Sequence, residues 1–225
     1  MTLQAMTGDQ DASIHAASAF GGYDFTTVDD DEDMPKPKLL LVGHGRHGKD
    51  TVADMFTKFG GFTWQSSSLA CAKHVCLPHF NRSSHLPSYD TAEECFADRH
   101  GKTEAHESER LQGIEFYDHR SEWFNAIDAY NTPDKTRLAR TIMEENDIYV
   151  GMRSRRELWA CQAGQVFDYV IWVDRSDHLP PEGSGSMQIE PWMADLHIDN
   201  NGSLTETEIN VRRVIGCLEE WWYNA

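Results

Sequence analysis

Long apolar runs are absent from this sequence, and no stretch approaches the ~20 consecutive residues that a membrane-spanning helix needs. The first residues also lack the basic region and apolar core of a secretory signal. The five cysteines are odd in number and include no C-x-x-C pair, which is typical of reduced, buried thiols rather than of a disulfide framework. We therefore expect a cytoplasmic protein without a membrane partner.

Basic residues are missing from the beginning of the chain. Residues 1–33 contain eight acidic side chains and no lysine or arginine, and they show no sustained apolar period. This composition predicts a flexible segment. The remaining residues carry 20 basic against 29 acidic side chains, a net charge of −9 compared with −17 for the whole chain. The sequence thus predicts a disordered acidic tail over 1–35 and one folded domain over 36–225.

A glycine-rich loop (residues 43–51) follows the apolar run Leu39–Val42 and reads Gly-His-Gly-Arg-His-Gly-Lys-Asp-Thr. It has the spacing G-x-x-x-x-G-K of a phosphate-binding loop, in which backbone N–H groups surround phosphate oxygens and the lysine reaches the β and γ phosphates. A bare glycine-rich turn is the alternative, but helical spacing of Val52, Phe56 and Phe59 follows the loop. We predict that ATP binds to Gly43, Gly45, Arg46, His47, Gly48, Lys49, Asp50 and Thr51.

Position 50 departs from the commonest form of such loops, which have Ser or Thr after the lysine as a magnesium ligand. This chain has Asp50 there and Thr51 one residue later. A carboxylate suits Mg²⁺, but an acid in a first helical turn also interacts favourably with the helix dipole, so both roles stay open. Val173-Asp174 is a predicted strand end that carries an acid. We predict that Asp50 and Thr51 hold Mg²⁺ with ATP, with Asp174 as the alternative, and that Lys49 and Asp50 are catalytic.

Three arginines follow the predicted strand Ile148–Val150, at positions 153, 155 and 156. In an open α/β sheet, ligands bind at this carboxyl edge of the strands. The guanidinium group suits phosphate oxygens and can offset charge during phosphoryl transfer. The alternative is a solvated helix start with Arg–Glu pairs on the surface. We predict a catalytic role for Arg153, nearest to the strand, and an acceptor-binding role for Arg155.

Arg120 and Trp123 form a second candidate for the acceptor site. At positions i and i+3 they share one face of a predicted helix that ends at Asn131. In that arrangement the arginine can hold a monophosphate while the tryptophan stacks on a base. A core tryptophan beside a surface arginine is the alternative, and the pattern leaves both open.

Short apolar strands alternate with helical patterns along the rest of the chain. Strands are predicted at Leu39–Val42, 62–65, Ile148–Val150, 169–173 and 196–198. Helices are predicted after the glycine-rich loop, at 69–76 and 91–96, up to Asn131, from Pro133, and at the end of the chain; residues 78–87 and 99–113 are predicted as loops. Residues 180–187, rich in Pro, Gly and Ser, are predicted to close over the site. The alternation predicts an α/β fold, a three-layer sandwich around a central parallel sheet.

Several segments resemble tailed-phage deoxynucleoside monophosphate kinases, a group of P-loop kinases. They are residues 43–54, 119–131, 149–153 with Glu157, 171–175 and 195–202. The resemblance spans roughly residues 38–215. It implies a P-loop kinase sandwich, ATP with Mg²⁺, and a deoxynucleoside monophosphate acceptor in the cytoplasm of an infected host, and it leaves a homodimer open. The acidic tail and the polar stretch between Arg99 and Asp118 depart from the family pattern, so the acceptor stays open.

Two other functions stay open from the sequence. The phage kinases that phosphorylate 5-hydroxymethyluracil within DNA resemble the same group, and the glycine-rich loop does not separate the two. A DNA-acting enzyme should gather basic residues against the DNA backbone, which the net charge of −17 disfavours. The third candidate is a non-catalytic switch that binds ATP and passes on a conformational change.

Overall fold

The computed structural model describes residues 36–99, 119–183 and 187–223. The predicted acidic tail over 1–35 and almost all of the predicted excursion over 99–113 lie outside these residues, so both stay predictions. The chain divides between Pro35 and Lys36, and the second unit, from Lys36 onwards, contains all the elements named below.

Five strands form one parallel sheet: β1 (Leu39–Val42), β2 (Trp64–Ser66), β3 (Ile148–Val150), β4 (Tyr169–Asp174) and β5 (Leu196–Asp199). Their order across the sheet is β2-β3-β1-β4-β5, so β1 is the central strand. Leu39 lies opposite Ile148 of β3 on one side and opposite Tyr169 of β4 on the other. The glycine-rich loop therefore leaves the middle of the carboxyl edge, where open α/β sheets bind ligands.

Helices cover both faces of this sheet. The described α-helices are α1 (Lys49–Gly60), α2 (Ser67–Cys71), α3 (Leu77–Arg82), α4 (Ala92–Ala97), α5 (His119–Tyr130), α6 (Arg137–Met143), α7 (Arg155–Ala163) and α8 (Leu204–Tyr223). A π-helical segment (Ala72–Cys76) joins α2 to α3, and a 3₁₀ turn (Pro191–Met193) precedes β5.

Alternate residues of β1 serve opposite layers, as the period of a strand requires. Leu39 and Leu41 pack in a core with α1 and α8, whereas Leu40 and Val42 pack in a second core with α2 to α7. All four residues are fully buried, which is typical of a parallel strand covered on both faces. The prediction of an α/β three-layer sandwich around a parallel sheet is confirmed.

Local differences from the sequence prediction concern helix boundaries. Residues 78–87 were predicted as a loop, but α3 extends to Arg82 with Pro78 in its first turn. Proline is compatible with a first turn because the N–H that it lacks has no partner within the helix there. The helix predicted from Pro133 begins only at Arg137, after Asp134 accepts hydrogen bonds from the backbone and hydroxyl of Thr136.

The cysteines agree with the expectation of reduced thiols. All five are free, and four of them are buried between the helices: Cys71, Cys76, Cys95 and Cys161. Burial raises the pKa of Cys71 and Cys161 to about 12, because a thiolate is poorly solvated there. No helix among the described residues has the length and hydropathy to cross a membrane.

Candidate functional site

The glycine-rich loop depends on glycine at both of its ends. Gly43 has φ 146°, and a Cβ added there would lie 2.5 Å from the carbonyl oxygen of Val173. Gly48 has φ 84°, and a Cβ there would collide with the side-chain amide of Asn200. Gly48 also precedes α1 with no side chain capping the helix, so the N–H groups of the first turn face the loop. The loop thus has the backbone form that binds an anion.

Two buried side chains hold the loop in this form. Asn200, just after β5, donates from Nδ2 to the carbonyl oxygen of His47 at 2.9 Å and accepts from the Thr207 hydroxyl at 2.7 Å. The His47 ring is fully buried, and its Nδ1 accepts from the backbone N–H of Arg175 at 3.0 Å. Burial, and then the neighbouring His44, lower the pKa of His47, so the ring is neutral. The imidazole of His47 supports the loop from inside, so only its backbone remains for the predicted contact with ATP.

Lys49 lies at the mouth of the loop with its ammonium group folded back. Nζ donates to the carbonyl oxygens of Gly43 at 3.0 Å and His44 at 2.7 Å. Burial, followed by the positive charge of Arg153, lowers its pKa to about 8. A cation held in this way gains from an incoming anion, because a phosphate both neutralises its charge and replaces carbonyl contacts by charged ones.

A carboxylate that the sequence did not single out occupies the mouth of the loop. Glu182 Oε2 accepts from the backbone N–H of Gly45 at 2.6 Å. The same carboxylate accepts from Arg153 Nη1 at 2.9 and 3.0 Å. Burial alone would raise its pKa, but hydrogen bonds from Arg153 and Gly45 hold the pKa below its usual value. Two predicted site residues, Arg153 and Gly45, therefore share one anion.

Asp50 and Thr51 are exposed residues in the first turn of α1. The carboxylate of Asp50 is close enough to Lys49 for its charge to raise the lysine's pKa. Within the described residues, no group of three or more His, Cys, Asp and Glu side chains forms a preassembled metal cluster. An accessible carboxylate and hydroxyl beside an anion site suit a magnesium ion that arrives with phosphates, since such an ion keeps most of its water.

Asp174, the alternative metal ligand, is engaged in other contacts at the end of β4. Its carboxylate accepts from the Ser176 hydroxyl at 2.9 Å and from Asn201 Nδ2 at 3.1 Å. Burial would raise its pKa, yet these hydrogen bonds keep the pKa below its usual value. Asp174 is thus an ionised carboxylate whose contacts hold the segment after β4 against the segment after β5.

Trp123 does not offer an open face for a base, and its burial agrees with the alternative of a core tryptophan. Its side chain is only 7% exposed and packs in the core formed with α2 to α7. Ala126, three residues later on the same face of α5, belongs to the same core, so this face of the helix points inward. Arg120 lies in the first turn of α5, but the structure does not describe its side chain. Its predicted acceptor role is therefore untested.

Arg155 lies at a cavity beside the loop. Its Nη2 donates to Glu190 at 2.6 Å, and its Nε donates to the carbonyl oxygen of Gln188 at 3.1 Å. These contacts join the start of α7 to the segment before the 3₁₀ turn. The cavity between them, here called the acceptor cavity for the role proposed for it below, has a volume of about 530 Å³, and its lining includes His44 of the loop and Glu182. Of the predicted acceptor residues, Arg155 alone is seen at this cavity.

The segment predicted to close over the site, residues 180–187, is described except for 184–186. Its described part already contacts the loop, because the backbone N–H of Glu182 donates to His44 Nδ1 at 3.2 Å. Sequence reasoning missed Glu182 and Asn200. Only the Asn-Asn-Gly turn after β5 carried a signal for Asn200, and Glu182 was included only as part of the segment predicted to close over the site.

No family model matches this chain, and no curated protein matches it in sequence. Similar solved structures include a gluconokinase from Sinorhizobium meliloti 1021, with 12% identity over 84% of this chain and 97% of that chain and a TM-score of 0.39. A sugar kinase from Janibacter sp. HTCC2649 has 15% identity over 82% and 95% of the chains and a TM-score of 0.40. A shikimate kinase from Bacteroides thetaiotaomicron has 11% identity over 81% and 98%, with a TM-score of 0.39. At these scores the fold assignment rests on the strand order and loop geometry of this chain itself.

Proposed function

We propose that this chain is an ATP-dependent phosphotransferase of the P-loop kinase type. The observation that carries the proposal is the single anion position at the mouth of the glycine-rich loop. The Gly45 N–H and the Arg153 guanidinium both bind the Glu182 carboxylate there, and Lys49 lies close enough for that carboxylate to raise its pKa. A carboxylate resembles a phosphate because both carry negative charge and acceptor oxygens. The groups that bind Glu182 therefore suit the terminal phosphates of ATP.

The proposed mechanism relies on placement and cancellation of charge, because phosphoryl transfer needs little covalent help from the protein. ATP phosphates replace the carboxylate of Glu182 at Gly45, and Lys49 turns from its two loop carbonyls to the β and γ phosphates. Arg153, released from Glu182, faces the transferring group and offsets its charge. Asp50 and Thr51 would hold Mg²⁺, which neutralises phosphate oxygens when bound.

The proposed acceptor is a deoxynucleoside monophosphate, which transfer converts into a diphosphate. Support comes from the resemblance carried by residues 43–54 and 149–153, and from the position of Arg155 at a cavity that opens onto the loop. An arginine at that point can bind an acceptor phosphate with two parallel hydrogen bonds.

A panel of acceptors with ATP labelled in the γ-phosphate tests this function. Each deoxynucleoside monophosphate, gluconate and shikimate should be compared with Lys49→Ala as the blank. We expect label to enter at least one deoxynucleoside monophosphate and to enter neither gluconate nor shikimate. If label enters only gluconate or shikimate, the chain is still a kinase, but the proposed acceptor class is wrong.

A second candidate is phosphorylation of 5-hydroxymethyluracil within DNA, and Glu182 is the observation that favours it. A carboxylate at the transfer position can accept the proton of a hydroxyl acceptor, whereas it repels an acceptor phosphate. Plain and hydroxymethylated DNA therefore belong in the panel, at two salt concentrations, since binding to DNA weakens steeply with salt. If ATP binds but label reaches no acceptor, the chain is a nucleotide-binding switch instead.

A further inference from the structure

Trp159 is a large aromatic side chain on the wall of the acceptor cavity, and it is 53% exposed. It lies in α7, one helical turn after Arg155. The indoles of Trp123 and Trp172, by contrast, are buried in the core. An indole left open at the edge of a cavity keeps a flat apolar face in contact with water, and such a face gains free energy when another flat group covers it.

The neighbouring guanidinium leaves this face accessible. Arg155 Cζ lies 5.8 Å from the centroid of the Trp159 ring. Three other arginines of this protein cover aromatic rings at 3.7 to 4.1 Å, which are contact distances: Arg212 on Phe59, Arg99 on Phe96 and Arg137 on Tyr130. Arg155 is held away from the indole by its hydrogen bonds to Gln188 and Glu190. The guanidinium of Arg155 therefore lies over the Trp159 ring without the close contact of the other three pairs.

The rest of the cavity suits a flat group that also carries negative charge. Met187 and Ile189 supply nearly fully buried apolar wall, and the exposed Arg156 adds a second cation to Arg155. The carboxylates of Glu182 and Glu190 also line the cavity, and each is paired with an arginine, Arg153 and Arg155 respectively. The volume of about 530 Å³ lies within the roughly 300–1,000 Å³ range of small-molecule sites. The lining includes Glu182, whose carboxylate contacts the glycine-rich loop. A ligand in the cavity therefore reaches the position proposed for transfer.

We propose that this cavity is the acceptor subsite and that Trp159 stacks on the base of a nucleoside monophosphate bound in it. Arg155 and Arg156 supply positive charge to the acceptor, and its phosphate points towards Arg153 and the loop. The inference rests on the proposed kinase function and adds the residue that selects a planar, aromatic acceptor. It favours a single free nucleotide over a strand of DNA, because the cavity has the size of one small ligand and the chain is strongly acidic.

The test compares Trp159→Ala, Trp159→Phe and a matched control, Trp221→Ala. Trp221 is similarly exposed, at 45%, but lies in α8 and packs on Tyr169, away from the cavity lining. Equilibrium dialysis of each labelled deoxynucleoside monophosphate gives its dissociation constant without any need for transfer, and steady-state kinetics give KM for acceptor and for ATP. Melting temperatures verify that the variants are folded.

We expect Trp159→Ala to raise the acceptor dissociation constant and KM roughly five- to 150-fold, the range for losing a base–aromatic stack. Trp159→Phe should retain part of the affinity, and KM for ATP should stay unchanged in both variants. Trp221→Ala should match wild type. An unchanged acceptor dissociation constant in folded Trp159→Ala would overturn the subsite. Absence of transfer to any acceptor by wild type would overturn the proposed function instead, while dialysis would still report on the subsite.

Discussion

The glycine-rich loop and the acceptor cavity lie side by side at the same sheet edge, but they are built in different ways. The loop is one contiguous segment whose shape is held by buried contacts from Asn200 and His47. The cavity combines side chains from separate parts of the chain, with His44, the start of α7 and residues 187–191 around it. In the proposed kinase, the donor side is therefore preorganised and the acceptor side is adjustable.

The polar contacts of the two regions also differ in their exposure to water. Around the cavity, the ion pairs Arg153–Glu182 and Arg155–Glu190 are partly exposed to water. Such pairs contribute only ~0–1 kcal/mol each, so they can break and reform at low cost when a ligand arrives. Under the loop, by contrast, the side chain of Asn200 is buried and hydrogen-bonded through both its donor and its acceptor atom. Losing such contacts leaves buried polar groups without partners, which costs more.

The largest effect is expected from Lys49→Ala, which removes the charge from the donor side. Loss of one preorganised cation costs roughly 2.7–4 kcal/mol in the transition state, so kcat should fall about 10²- to 10³-fold. The melting temperature should not fall, because burial disfavours the charged lysine in the free protein. Lys58→Ala is the matched control, an exposed lysine in the last turn of the same helix.

Activity of Lys49→Ala above a tenth of wild type would contradict the role of the loop. A loss of similar size in Lys58→Ala would show that the effect comes from the helix and not from the site. Single-turnover transfer of labelled phosphate measures both variants.

The pH dependence of ATP binding tests whether Lys49 is the charge that the loop supplies. In the free protein its pKa is about 8, and bound phosphates must raise that pKa. Below pH 8 the lysine already carries its proton. Above pH 8 binding must take up a proton, so affinity should fall with rising pH by up to about tenfold per unit. His44 and His47, whose pKa values are lowered mainly by burial, stay neutral in this window.

Calorimetry in two buffers of different ionisation enthalpy measures the proton uptake directly. Uptake should appear above pH 8 in wild type and disappear in Lys49→Arg, because a guanidinium keeps its proton. Constant affinity between pH 7 and 9.5 in wild type would contradict the shifted lysine.

Glu182→Gln tests whether the two sides of the site compete for one anion position. The neutral amide of this variant would bind the Gly45 N–H and Arg153 more weakly than the carboxylate does, so ATP displaces it more easily. ATP should therefore bind about three- to tenfold more tightly. That factor corresponds to ~1 kcal/mol, as for a partly exposed charged hydrogen bond. Glu190→Gln is the control, since Glu190 also pairs with an arginine but does not contact the loop.

Isothermal calorimetry with ATP and Mg²⁺ gives the dissociation constants of both variants. Weaker ATP binding in Glu182→Gln would mean that the carboxylate helps to organise the loop and does not occupy the position of a phosphate. Tighter binding in Glu190→Gln as well would point to a general effect of net charge.

The smallest effect is expected from deleting residues 1–33. They carry eight acids without apolar periodicity and therefore have little to pack with. Transfer to free nucleotides and the melting temperature should stay close to those of the full chain. A lower melting temperature of the truncated protein would show that the segment is packed and that the predicted domain boundary is wrong.

Much of the donor side was predictable because its signals are local. The short apolar runs at β1, β3 and β4 and the spacing of Val211, Ile215 and Leu218 in α8 required only the period of a strand or a helix. The boundary errors at Pro78 and Pro133 have a common cause. Proline is compatible both with the first turn of a helix and with a loop that precedes a helix. Only tertiary packing decides between the two.

The sequence by itself determined the α/β alternation and the glycine-rich loop, since strands, helices and tight turns depend on residues that are close in the chain. Only the tertiary structure decided which of two helical tryptophans lines the cavity: Trp123 is buried in the core, whereas Trp159 is exposed at the cavity. It also brought Glu182 to Gly45, 137 residues apart in the chain. Such contacts depend on how the layers pack, because burial and partner choice arise from the whole fold and leave no local period to read.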